Sequence, residues 1–106
     1  MGTPLDPKAD HRITLARAVA DTKRHRGGGA HRAGDSGAFN SKALQELLAQ
    51  PGCAGMRFYM GRNERGDRSV ILVGVDERGN NMSSGLVLDS HFPCPPYCPD
   101  EDELHG

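Results

Sequence analysis

The chain has 106 residues, 36% of them hydrophobic, with 14 Gly, 7 Pro, no Trp and a formal net charge of -1. That length holds one core of ordinary size and excludes two independent ones, and the glycine and proline content leaves part of the chain outside any core. The longest apolar stretch, residues 70–75, is far below the roughly 20 residues of a membrane helix, so a membrane-spanning role is excluded.

Residues 1–12 read as a flexible N-terminus. The opening Met1-Gly2-Thr3-Pro4-Leu5-Asp6 has neither the basic nor the apolar region of a secretory signal, and Asp6 stands where a myristoylation motif has Ser or Thr. These features point to a cytoplasmic protein whose three cysteines are reduced unless a site holds them otherwise.

A single α+β domain is expected over residues 13–98. Its first helix spans residues 13–26, with Leu15, Ala16, Val19 and Ala20 on one face and Lys23, Arg24, His25 and Arg26 at the end that favours cations; Thr14 suits the N-cap, and Asp6 before Pro7 or Asp10 would serve an earlier start. Gly27-Gly28-Gly29 stops it, and residues 27–38 form a glycine-rich linker. The four Lys and Arg and two His of residues 23–32 suit a phosphate backbone, but no aromatic residue is interleaved, so nucleic acid is not the expected partner. A second helix over residues 41–50 is capped by Asn40 or Ser41, buries Ala43, Leu44, Leu47 and Leu48, and ends at Pro51-Gly52.

The period then changes from helical to alternating. Met56, Phe58 and Met60 share one face of a strand while Arg57 and Tyr59 share the other. Asn63-Glu64-Arg65-Gly66 turns the chain into a β-branched strand, residues 68–75, and Asp76-Glu77-Arg78-Gly79 repeats the same turn chemistry. A third strand falls within residues 81–88. The expected fold is therefore two helices packed on a small antiparallel sheet of three to four strands, followed by a Cys/Pro-rich C-terminal tail. Such a sheet leaves an edge open, which favours a homodimer.

Charge is unevenly spread: residues 1–68 hold 12 Lys and Arg against 7 Asp and Glu, and residues 69–106 hold 1 against 7. The expected outcome is that the two halves fold beside each other and neutralise. Residues 99–106 read as an acidic disordered tail.

Cys94-Pro95-Pro96-Tyr97-Cys98 is the stretch with the most chemistry. Three intervening residues, two of them prolines, do not suit a thioredoxin-type centre. Three readings remain open. Cys94 and Cys98 form a disulfide across a loop too short to restrict the unfolded chain much; or they bind zinc with His91 and with Cys53 or His105 as a fourth ligand; or the thiols pack as small hydrophobes while Phe92 and Tyr97 anchor the tail. Cofactors are accordingly none or zinc.

Pro51-Gly52-Cys53-Ala54-Gly55-Met56-Arg57-Phe58-Tyr59-Met60-Gly61, Val70-Ile71-Leu72-Val73-Gly74-Val75-Asp76, Gly79-Asn80-Asn81-Met82 and the CPPYC segment together resemble a group of small uncharacterised bacterial proteins of Bacteroidota-like genomes. These carry a G-x-R-[FY]-Y strand, a VGVD strand end and a C-terminal CPPxC. The resemblance covers residues 39–98 and implies that sheet and cysteine tail form one module; it implies no chemistry. No pair of ionisable groups is spaced for catalysis, so the sequence leans away from an enzyme. It reads as a small non-enzymatic protein-interaction module that associates with itself and an unknown protein partner. The alternative is a zinc-binding or disulfide-restrained module that uses the CPPYC tail.

Overall fold

The computed structural model describes residues 2–105. Its architecture is α+β, with two helices and two small antiparallel sheets among the described residues. In chain order the elements are α1 (Leu15–His25), β1 (Gly37–Ala38), α2 (Ser41–Leu48), β2 (Cys53–Arg62), β3 (Arg68–Asp76), β4 (Val87–Leu88) and β5 (Phe92–Pro93). No described helix is long and apolar enough to cross a membrane. The chain divides into two compact units, one of residues 2–8 and Ala38–His91, the other of Ala9–Gly37 and residues 92–105.

The first unit is a meander of strand order β2-β3-β4 with α2 against β2 and β3. Asn40 caps α2, its Oδ1 accepting from the Ala43 N–H at 2.9 Å. Leu47 is the fully enclosed residue of the helix, with 0% exposure, and joins Leu72, Val73 and Val75 in the core. Leu48, expected inside, is exposed, because eight residues of helix turn only a narrow stripe toward so small a sheet.

Strand β2 is longer than its alternation suggests, and pairs with β3 from Arg62↔Arg68 through Phe58↔Leu72 to Cys53↔Asp76, with a bulge between Cys53 and Gly55. Both predicted turns form. The Asn63 Oδ1 accepts from the N–H groups of Arg65 and Asp67, and the Asp76 Oδ1 from those of Arg78 and Asn80. The fourth residues, Gly66 and Gly79, have φ of 85° and 83°, where a side chain is disfavoured. The third strand is short: Val87 and Leu88 pair with Val73 and Leu72, and Asn81 bridges to Val75.

The second unit holds α1, the glycine-rich segment as far as Gly37, strand β5 and the C-terminal tail. The Thr14 Oγ1 accepts from the Arg17 N–H at 3.1 Å, and the helix ends at Arg26 with Gly27 and Gly28 at positive φ. None of its residues is fully buried. Of the expected stripe only Val19 is half-buried, beside Ala18 and Thr22, while Leu15, Ala16 and Ala20 are exposed, since glycines and a polar tail offer little apolar surface to cover.

Arg26 is buried instead. Its Nε donates to the Gly29 carbonyl at 2.9 Å, and its Nη1 to the Leu104 carbonyl at 3.1 Å.

Candidate metal centre

Three elements of the second unit bring donors together. Strand β5 delivers Cys94, whose N–H donates to the Ser36 carbonyl at 3.3 Å. The prolines then reverse the chain: the N–H of Tyr97 donates to the Pro93 carbonyl and that of Cys98 to the Pro96 carbonyl, both at 2.9 Å, and both peptide bonds into Pro95 and Pro96 are cis. The rings of Phe92 and Tyr97 pack at 4.8 Å between centroids across this reversal. Cys94 and Cys98 are joined as a disulfide, with Cα atoms 4.8 Å apart. Cys94 has 1% exposure whereas Cys98 lies at the surface.

The glycine-rich segment supplies His31. Its ring is set by a 2.7 Å hydrogen bond between Nε2 and the Ser36 hydroxyl, and the segment is shaped around Asp35. That carboxylate accepts from the Arg32 N–H at 2.9 Å and lies 3.3 Å from the His25 Nε2 and 3.6 Å from the Arg32 Nε. The Arg32 amide, and then the charges of Arg32 and His25, hold the Asp35 carboxyl below its ordinary value of 3.8 against the opposing effect of partial burial.

The tail supplies His105. Arg26 fixes the carbonyl of Leu104, and the Asp102 Oδ1 accepts from the His105 N–H at 2.8 Å. The rings of His31 and His105 stack 4.1 Å apart at 22°. The ligand atoms of His31, His105 and Cys94 all lie within 4.8 Å of one another. Tetrahedral zinc holds N and S donors about 3.3–3.8 Å apart, so the group is about 1 Å wider than a loaded site.

The sequence-predicted ligands are placed in different ways. Cys94 is in the cluster, and Cys98 is bonded to it. Cys53 and His91 belong to the first unit, where the Cys53 thiol donates to the Gly55 carbonyl at 3.2 Å and the His91 ring lies 6.2 Å from that of Phe39. His105, which the sequence offers as an alternative fourth ligand, is in the cluster. His31 reads in the sequence only as part of the basic run; no spacing links it to the cysteines, and a histidine inside a glycine-rich segment is the one signal the sequence carries for it.

The second unit also holds a groove of about 750 Å³, with Lys23 and Arg26 among its lining residues together with Glu101, Asp102 and Glu103. Basic helix end and acidic tail thus meet within one unit. Of the basic run, Arg24 pairs with Asp21, His25 and Arg32 with Asp35, and Arg26 holds the tail.

No protein-family model matches the chain, and neither a curated protein nor a solved structure matches it.

Proposed function

We propose that the protein is a small zinc-binding module whose donors are His31, Cys94, Cys98 and His105. The observation that carries this reading is the pair of stacked imidazoles beside a buried cysteine sulfur. A cysteine that merely packed would need apolar neighbours, whereas two imidazoles and a sulfur are the donor types of a structural zinc site. Reduced, untagged protein titrated with Zn²⁺ is expected to bind one equivalent. His31→Ala, His105→Ala and Cys94→Ser each weaken binding by at least about 100-fold, while Cys53→Ser and His91→Ala leave it unchanged. Equal affinity in all five variants would overturn the assignment.

A second reading concerns the sheet. Strand β2 is an edge strand of 10 residues, and Met56, Phe58 and Met60 on one of its faces are 42%, 65% and 63% exposed. Exposed apolar side chains on an open edge suit pairing with a second copy, which would continue the three-stranded sheet into six strands. The paired variant Phe58→Lys/Met60→Lys is expected to turn a dimer into a monomer by sedimentation. A wild-type chain that sediments as a monomer at high concentration removes this reading.

A further inference from the structure

We propose that the Cys94–Cys98 disulfide is the closed state of a redox gate on the metal site, opened by a low-molecular-weight monothiol. The inference rests on reading His31, Cys94, Cys98 and His105 as the donors. In the disulfide neither sulfur carries the negative charge that makes a cysteine a metal ligand, so the oxidised chain presents two imidazoles and no thiolate. Two neutral donors are too few for a structural zinc site.

The two sulfurs differ in access. Cys94 is enclosed and Cys98 faces solvent, so an incoming thiolate attacks the Cys98 Sγ. The S–S bond breaks, its electron pair leaves on the Cys94 sulfur, and a mixed disulfide forms between Cys98 and the monothiol. A second thiolate attacks the monothiol sulfur of that mixed disulfide and releases Cys98. Two monothiols have been oxidised to their disulfide, the protein has gained two electrons, and the two protons shed by the monothiols balance the two cysteine sulfurs.

Zn²⁺ then binds both sulfurs as thiolates and displaces those protons to solvent. The result is a Cys2His2 centre in which two thiolates neutralise the ion.

The fold keeps the opened pair in place. The hydrogen bonds of Cys94 to Ser36, Tyr97 to Pro93 and Cys98 to Pro96 are all backbone bonds that do not involve sulfur, and they hold the reversal when the S–S bond is gone. Rotation of the exposed Cys98 side chain supplies the wider S···S separation of a metal site, about 3.7 Å. The gate runs backward as well: the oxidised dimer of the monothiol re-forms the Cys94–Cys98 bond and expels the ion.

The test uses the full chain in two forms, fully oxidised, and reduced with excess monothiol that is then removed under anaerobic conditions. Each is titrated with Zn²⁺ against a chromophoric chelator, and with Co²⁺ to read the thiolate charge-transfer band. The reduced form is expected to bind one equivalent with that band present, and the oxidised form at least about 100-fold more weakly with the band absent. Adding the oxidised monothiol to zinc-loaded protein is expected to release the metal as the two thiolates give up two electrons to re-form the S–S bond and the two released monothiols take their protons from solvent. Cys98→Ser, which cannot form the disulfide, is expected to bind with an affinity independent of redox state.

Equal binding by the two forms overturns the gate and leaves the donor set standing. A reduced chain that binds no zinc, whether folded or unfolded by circular dichroism, overturns both.

Discussion

Ser36, one residue before β1, touches both halves of the candidate centre: its hydroxyl fixes the His31 ring and its carbonyl receives the Cys94 N–H. Ser36→Ala is expected to weaken zinc binding about 10–100-fold in a chelator competition without removing a donor, as loss of an orienting hydrogen bond does. Arg26 acts on the other imidazole through the Leu104 carbonyl. Arg26→Met keeps much of the stem and loses two charge-assisted bonds; about 1–3 kcal/mol of stability is expected to go in urea unfolding, with faster amide exchange in residues 102–105.

Asp35 gives the pH dependence. Its folded value is lowered, so its bonds contribute fully above the ordinary value of 3.8 and are lost as pH falls through the folded one. Stability measured from about pH 5 downward should fall less steeply in Asp35→Asn than in the wild type. At this scale the caps and turns were legible, because Thr14, Asn40, Asn63 and Asp76 act on amides two to four residues away. His31 was not, because its partners lie at the far end of the chain.

The elements that were legible are those with a period. Alternation marked β2, the β-branched run marked β3, and α2 carried a cap, a stripe and a Pro-Gly stop. Strands β1, β4 and β5 have two residues each, too few to show a period of two, and they exist because a neighbour offers a ladder.

The paired turns allow a controlled comparison. A Cβ at Gly66 meets open space, whereas one at Gly79 would collide with the Thr3 carbonyl. Gly66→Ala is expected to cost about 1 kcal/mol for its positive φ alone, and Gly79→Ala distinctly more, up to about 3 kcal/mol, in parallel denaturant melts. Leu47→Ala, which empties the centre of the α2–sheet packing, should cost about 2–5 kcal/mol.

At the scale of the molecule the sequence pointed to charges that neutralise, and the second unit gathers Lys23 and Arg26 with Glu101, Asp102 and Glu103 along one groove. The division into units had no signature in composition, since Ala9–Gly37 and residues 92–105 are separated by the whole sheet. Zinc held by His31, Cys94, Cys98 and His105 would crosslink those two segments. Saturating zinc is therefore expected to slow amide exchange in residues 9–37 and 92–105, by about 4 kcal/mol at a thousandfold excess over Kd, and to leave residues 53–76 unchanged.

The same interleaving separates local from distant closure in folding. Residues 38–91 are continuous in sequence, so α2 and the β2–β4 meander find their strand partners across short loops, whereas residues 9–37 meet residues 92–105 only by closing a loop that contains that whole stretch. Refolding followed by pulsed amide exchange is expected to protect residues 53–76 before residues 15–25.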